Sequence, residues 1–201
     1  MAKQSVTRGS GILEGVLSQA RTKHANGLIS VEKRSGRILD IGCGSFPYFL
    51  THTEFSEKYG IEQLEISQAE NIIRDGITIT NANLEKDFRL PFSSNYFDVV
   101  TMLAVFEHIE PGQLIKVISE IHRVLKPEGE YILTTPPKWT NELLKVLSLI
   151  KLVSKEEIEE HKKIYSPKEI RNILIQKGFN QTQIQTGYFE LRMNIWAKAK
   201  K

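Results

Sequence analysis

The sequence has little cysteine and no long apolar run. Cys43 is the only cysteine among the 201 residues, so no disulfide can form within the chain, and a reducing compartment is expected. No apolar stretch approaches the roughly 20 residues that span a bilayer, and residues 1–10 lack the apolar centre of a signal peptide. These absences predict a cytoplasmic protein without a transmembrane segment.

Charge of one sign is also lacking. The chain has 27 basic and 24 acidic residues, a net charge of +3, and no strongly basic or stacking-rich motif that would indicate an RNA surface. Its five scattered histidines and one cysteine do not have the spacing of a zinc site. The length fits one well-buried domain. We therefore expect a single domain without a metal, and a small-molecule partner in preference to nucleic acid.

What the sequence does contain is a glycine turn within Arg37–Tyr48. The apolar run Ile38–Ile41 is typical of a buried parallel strand. Gly42 and Gly44 follow it and can adopt backbone angles closed to other residues, and Pro47 suits the first turn of a helix. Strand, turn and helix N-terminus together predict a nucleotide-binding corner.

The nature of the ligand depends on what surrounds this turn. Glu62 ends the next predicted strand, 22 positions after Asp40, close to the spacing of a carboxylate that binds ribose hydroxyls. A dinucleotide fingerprint needs a third glycine where this chain has Pro47, and no Lys-Ser or Lys-Thr pair follows the turn, which excludes a P-loop. The ligand is therefore expected to carry a ribose, and the turn matches neither a dinucleotide fingerprint nor a P-loop.

The run Asp40-Ile41-Gly42-Cys43-Gly44 resembles motif I of the class I methyltransferases that use S-adenosylmethionine. Two further runs, Leu90–Val100 before the fourth predicted strand and Arg123–Glu130 before the fifth, resemble the same family. The resemblance implies that S-adenosyl-L-methionine is the cofactor and S-adenosyl-L-homocysteine the product. It also implies an α/β, Rossmann-like sheet of seven mostly parallel strands with helices on both faces and the last strand antiparallel.

The predicted cofactor-binding residues combine this corner with later strand ends. Asn83 occupies the place of the family residue that contacts the adenine amino group, and Leu103 and Ala104 end the fourth strand, where ligands of such sheets bind. The full predicted set is Asp40, Ile41, Gly42, Cys43, Gly44, Glu62, Gln63, Asn83, Leu84, Leu103 and Ala104.

The acceptor side is predicted from the residues that follow the fourth and fifth strands. His108, Trp139, His161 and Tyr165 are the candidates for the substrate pocket. If the acceptor is a hydroxyl, a base must remove its proton, and histidine can do so near neutral pH. His108 is the first candidate for this role and His161 the second. The alternative for His108 is a helix-capping or packing role.

We divide the single domain, residues 1–201, into four parts. Residues 1–36 form an N-terminal helical lid or a packing helix, 37–135 the cofactor-binding core, 136–165 a substrate-cap segment, and 166–201 a C-terminal helix with the last two strands. Helices are expected over 48–57 and 65–75, strands over 179–185 and 192–197, and a frayed end at the terminal lysines. The apolar stretch 143–153 is a buried helix, a cap over the acceptor, or a helix that contacts a membrane surface.

These features predict an enzyme that transfers a methyl group from S-adenosylmethionine to a small-molecule or lipid- or glycan-like acceptor, by O- or N-methylation. One alternative is a protein that binds S-adenosylmethionine without methyl transfer. An RNA methyltransferase and an oxidoreductase on a similar sheet are further alternatives, and Pro47 argues against the last.

Overall fold

The computed structural model describes residues 14–63, 71–83, 89–140 and 162–201. The helices are α1 (Glu14–Leu28), α2 (Tyr48–Thr51), α3 (Pro111–Val124) and α4 (Pro167–Gln176). The strands are β1 (Arg37–Ile41), β2 (Glu57–Glu62), β3 (Asn71–Arg74), β4 (Ile77–Asn81), β5 (Phe97–Leu103), β6 (Leu125–Thr135), β7 (Gln185–Phe189) and β8 (Asn194–Lys200).

The eight strands found in the described residues join one sheet in the order β3-β4-β2-β1-β5-β6-β8-β7. The strands β4, β2, β1, β5 and β6 run parallel to one another, whereas β8 is antiparallel to both of its neighbours. Seven of these strands form the predicted Rossmann-like sheet, and its antiparallel last strand is confirmed. The short β3 adds an eighth strand at one edge.

The predicted helix over 65–75 is wrong where the structure describes it, because Asn71–Arg74 is the strand β3, antiparallel to β4. Asp75 and Gly76 connect the two strands with φ of 51° and 74°. Asp-Gly is a strong signal for a two-residue hairpin turn, because both central residues then need positive φ. This signal was present in the sequence and outweighs the helical pattern.

Other boundaries differ from the prediction by several residues. The helix expected over 48–57 ends at Thr51, where the following segment is bonded to α1: Asn26 donates its Nδ2 to the His52 carbonyl at 3.0 Å and accepts the Thr53 hydroxyl at 2.6 Å. The last two strands begin later than expected, at Gln185 and Asn194. These shifts come from tertiary contacts that the local pattern does not contain.

The terminal lysines are not frayed. Lys198 lies in β8, an interior strand of the sheet, and its Nζ is 2.9 Å from the fully buried carboxylate of Glu130. The same ammonium donates to the Leu28 carbonyl at 2.7 Å. Ser30 also donates to Glu130. Burial opposes ionisation of Glu130, but these bonds from Ser30 and Lys198 outweigh it and lower the pKa of the carboxyl.

Hydrophobic side chains pack on both faces of the sheet, in agreement with the expected helices on both faces. On one face α3 buries its apolar stripe, which consists of Leu114, Val117, Ile118, Ile121 and Val124. On the other face α1 contributes Ala25 and α2 contributes Phe49 and Leu50 to a second cluster. Helix α1 therefore has a packing role, and its role as a lid stays a prediction. None of the helices among the described residues has both the length and the apolarity to cross a membrane.

Candidate cofactor and acceptor site

The glycine turn after β1 is fixed to the end of β2. Gly42 and Gly44 both have positive φ, 74° and 75°. The N–H groups of Gly42 and Cys43 donate to the Ile61 carbonyl at 2.8 and 3.2 Å. Cys43 itself is buried, with its Sγ so close to Gly60 that a Cβ there would lie 2.6 Å away. This position agrees with a packing role for the only cysteine.

Glu62 ends β2 directly beside this turn. Its side chain is only 4% exposed, yet it is held by backbone donors: Gly44 donates its N–H to Oε2 at 2.7 Å, and Gln63 donates its N–H to Oε1 at 3.1 Å. The parallel pairing of β1 with β2 brings the two strand ends together. The spacing between Asp40 and Glu62 along the chain therefore places the Glu62 carboxylate next to the glycine turn.

Asp40 has a different position from the other corner residues. Its carboxyl is buried inside the sheet, where Thr101 of β5 donates its hydroxyl to Oδ1 at 2.6 Å. Burial raises the pKa of Asp40 to about 7, although the bond from Thr101 opposes the shift. The Asp40 side chain therefore connects β1 to β5 within the sheet, next to the start of the glycine turn.

This burial predicts a pH effect on stability. A carboxyl whose pKa is raised in the folded protein contributes stability at low pH that is lost as pH rises through the folded value. With an unfolded pKa near 3.9, the contribution of Asp40 to the free energy of unfolding should fall by about 2–3 kcal/mol between pH 5 and pH 8. Chemical denaturation of the wild type and of Asp40→Asn across this range checks it. The variant should show a flatter profile, and identical profiles would contradict the assignment.

The other predicted cofactor contacts lie at the same edge of the sheet. Asn83 follows β4, and the preceding Ala82 donates its N–H to the Glu62 carbonyl at 3.1 Å. At the end of β5, Ala104 has φ of 57° and donates its N–H to the Thr134 carbonyl at 3.0 Å. Leu103 precedes it and is half-buried. Leu84 lies outside the described residues.

A buried carboxylate that sequence reasoning missed lies beside the predicted acceptor side. Glu107 is only 2% exposed, and Thr135 donates its hydroxyl to Oε2 at 2.9 Å. The Glu107 carbonyl also accepts the N–H of Lys162 at 2.9 Å. The next residue, His108, is half-buried and donates its N–H to the Val105 carbonyl at 3.0 Å. The loop after β5 is thus attached to β6 and to the chain that returns at Lys162.

Of the remaining predicted pocket residues, Tyr165 is the most buried. It is 1% exposed and packs edge-on against Phe106, with 4.9 Å between ring centroids. Its hydroxyl has no hydrogen-bond partner among the described residues, and burial, with the nearby Glu169 and Glu110, raises its pKa. Trp139 is 52% exposed after β6. His161 lies outside the described residues.

The residues at this edge fit S-adenosylmethionine. The buried Glu62 carboxylate suits a pair of ribose hydroxyls, since a carboxylate is acceptor-only. The turn has room at Gly44, where a Cβ would meet nothing nearer than the Phe46 carbonyl oxygen at 3.7 Å. Within the described parts of the chain no group of three or more His, Cys, Asp or Glu could hold a metal ion. The Glu62 carboxylate and the open space at Gly44 are therefore compatible with a nucleoside ligand.

Comparison with known proteins agrees with this geometry. The family model described as a methyltransferase domain matches residues 17–184, most of the chain. The protein therefore belongs to the class I S-adenosylmethionine-dependent methyltransferase family. S-adenosylmethionine is the cofactor of this family, which confirms the cofactor prediction.

Two curated relatives show how far the sequence similarity extends. An uncharacterised protein of Methanocaldococcus jannaschii is 26% identical over 157 residues, which cover 78% of this chain and 60% of that protein. The glycine/sarcosine/dimethylglycine N-methyltransferase of Actinopolyspora halophila is 33% identical over 110 residues, which cover 50% of this chain and 18% of that enzyme. The chain thus spans from about a fifth to three fifths of the length of these relatives.

Two solved structures share the fold over nearly the whole chain. An S-adenosylmethionine-dependent methyltransferase of Archaeoglobus fulgidus has a TM-score of 0.66 at 17% identity, with 94% of both chains covered. A candidate methyltransferase, in complex with the Haloferax volcanii Trm112 methyltransferase activator, has a TM-score of 0.69 at 15% identity, and the match covers 93% of this chain and 92% of that one. At these identities the likeness establishes the fold.

Proposed function

We propose that this chain transfers a methyl group from S-adenosylmethionine to a small-molecule or lipid- or glycan-like acceptor, and releases S-adenosylhomocysteine. The observation that carries the proposal is the buried Glu62 carboxylate beside the Gly44 N–H, at the edge of the sheet where the Glu107–His108 loop also lies. In this proposal a nucleoside site and a candidate base lie at the carboxyl ends of β2, β1 and β5, which are consecutive in the sheet.

When bound, the cofactor supplies a methyl group already activated by its sulfonium, so the protein mainly binds and orients. In this proposal Glu62 accepts hydrogen bonds from the ribose hydroxyls, and Asn83 contacts the adenine amino group. Leu103 and Ala104 line the cofactor pocket at the end of β5. The remaining corner residues hold the turn in place through their backbone bonds.

His108 is proposed to accept the proton of an acceptor hydroxyl. Its ring is half-buried, on a loop held by the Glu107–Thr135 bond and by the backbone bond to Val105. An imidazole titrates close to neutral pH, which suits a general base. Tyr165 and Trp139 are proposed to line the acceptor pocket from the segments after β6.

The test is transfer of a labelled methyl group from S-adenosylmethionine to a panel of small hydroxylated and amine acceptors, followed by the same assay on His108→Asn. Loss of a general base typically costs at least 10²-fold, so we expect turnover to fall about 10²-fold while the Kd for S-adenosylmethionine stays unchanged. Equal losses in turnover and affinity, or no loss in either, would contradict this role.

His122→Asn is the matched control for the histidine variant. His122 lies in the last turn of α3 and packs edge-on against Phe179, 5.2 Å between ring centroids. Because α3 ends where β6 begins, His122 lies near the amino ends of the parallel strands, whereas His108 follows the carboxyl end of β5. Its replacement should leave turnover within about twofold of the wild type.

The same assay distinguishes the alternatives. Binding of S-adenosylmethionine without product from any acceptor would favour a ligand-binding protein, and product formed on RNA alone would favour an RNA methyltransferase. The net charge of +3 supports a small acceptor over RNA. The Actinopolyspora relative, named for small amine substrates, supports the same class. A cytoplasmic location and a membrane-surface contact by residues 143–153, which lie outside the described residues, stay predictions.

A further inference from the structure

A cleft lies between α1 and the segment 48–54, which begins with α2. It has a volume of about 480 Å³, within the range of small-molecule sites. Arg34, which precedes β1, and Thr53 and Glu54, which precede β2, contribute to its lining. These residues lie toward the amino ends of the strands, whereas the cofactor corner lies at their carboxyl ends. Neither Gly44 nor Glu62 lines the cleft.

Two cations of the cleft lack carboxylate partners among the described residues. The Arg34 guanidinium bonds only to neutral oxygens: Nη2 donates to the Asn26 carbonyl at 2.9 Å, and Nη1 donates to Asn26 Oδ1 at 3.4 Å and Thr53 Oγ1 at 3.3 Å. Lys23, which lies about one turn before Asn26 on α1, also lines the cleft and is exposed. Elsewhere Arg37 is paired with a carboxylate, that of Glu57, at 2.7 Å.

The neutral groups around Arg34 are connected to one another. Asn26 accepts the Thr53 hydroxyl at 2.6 Å and donates to the His52 carbonyl at 3.0 Å. The rings of Tyr48 and His52 stack with 4.0 Å between their centroids and form one wall of the cleft. The guanidinium is therefore held in one place before any ligand arrives, which lowers the entropic cost of binding.

We propose that this cleft binds a small phosphorylated molecule, with the phosphate between Arg34 and Lys23. Arginine matches phosphate oxygens with its planar fork of donors, and lysine adds a point charge. Among the described residues Glu54 is the one carboxylate in the lining, and it is exposed, so it opposes an anion only at the rim. The site meets the glycine-turn segment only at Tyr48, includes neither Gly44 nor Glu62, and does not depend on methyl transfer.

The test is calorimetric titration of the full chain with inorganic phosphate and with glycerol 3-phosphate, at constant ionic strength maintained with chloride. Saturable binding is expected, tighter for the ester. Lys23→Gln should weaken it about threefold and Arg34→Gln at least tenfold, because hydrogen bonds to charged groups are the stronger ones. Glu54→Gln should tighten it about twofold, since this change removes the opposing charge.

Lys168→Gln is the matched control, because Lys168 is an exposed lysine of α4 that is not part of the cleft. It should leave the phosphate affinity unchanged. Should Arg34→Gln fail to fold, the opposite effects of Lys23→Gln and Glu54→Gln, both at exposed positions, still decide the question. Absence of saturable binding, or equal weakening by Lys23→Gln and Lys168→Gln, would overturn the proposal.

Discussion

Replacing Glu62 by alanine is expected to weaken binding of S-adenosylmethionine about 10³-fold. The carboxylate is buried and is held in place by the Gly44 and Gln63 N–H groups, so little rearrangement is needed for it to accept two ribose hydroxyls. Each hydrogen bond to a charged group contributes roughly 1.5–3 kcal/mol, and two such bonds together correspond to about 10²- to 10⁴-fold in affinity. Alanine also leaves the Gly44 N–H without this acceptor.

Calorimetric titration with S-adenosylmethionine, S-adenosylhomocysteine and NAD in parallel measures this loss and tests the cofactor at the same time. Glu57→Ala is the matched control, because Glu57 begins the same strand β2 that Glu62 ends and its carboxylate pairs with Arg37 instead. The control should bind S-adenosylmethionine like the wild type. Unchanged affinity in Glu62→Ala, or binding of NAD alone, would refute the assignment of the corner.

The corner could be predicted from the sequence because its requirements are local. Glycine adopts positive φ readily, as Gly42 and Gly44 do here. The distance along the chain to Glu62 follows from one strand–helix–strand unit. The sequence argument gave backbone angles closed to other residues as the reason for both glycines. The structure adds a second reason at Gly42, because a Cβ there would lie 2.4 Å from Cγ2 of Val105.

Pairs that form across the sheet could not be predicted in this way. The Thr101–Asp40 bond joins residues 61 positions apart, and the Thr135–Glu107 bond joins residues 28 apart. Both bonds depend on the register of the strands, because a one-residue slip would turn the side chains of a strand to the opposite face of the sheet. A single sequence shows the polar residues but not their partners. Neither bond was therefore predicted, and the assignment of Asp40 to the cofactor stays a prediction.

The β3–β4 hairpin was missed for another reason. Asp75-Gly76 is a local signal, and it was outweighed by a helical pattern that continued from the preceding residues. In the structure Arg74 pairs with Ile77 across the turn, so the edge of the sheet beyond β4 is occupied by β3. Where two local signals compete, the tertiary context decides between them. Here that context is the edge of β4, along which β3 can pair.

Replacing Gly42 by alanine is expected to destabilise the fold by about 3–4 kcal/mol, considerably more than the same change at Gly44. The two glycines have nearly identical φ, 74° and 75°, so each substitution carries the same cost of about 1–2 kcal/mol for a left-handed residue. Only at Gly42 does the new methyl group also clash, with Cγ2 of Val105, and such overpacking adds roughly 1–3 kcal/mol. Urea denaturation of both variants measures the difference.

The double variant Gly42→Ala/Val105→Ala separates the two costs. With Val105 truncated, the clash is removed and only the backbone cost remains, so Gly42→Ala should cost about as much in the Val105→Ala background as Gly44→Ala costs in the wild type. A coupling of about 1–3 kcal/mol in this double-mutant cycle is expected, because the two side chains would be in direct contact. Equal destabilisation by Gly42→Ala and Gly44→Ala would mean that Val105 moves aside freely. The loop after β5 would then be less rigid than its contacts with β6 and Lys162 indicate, and His108 could not be held in a fixed position toward an acceptor.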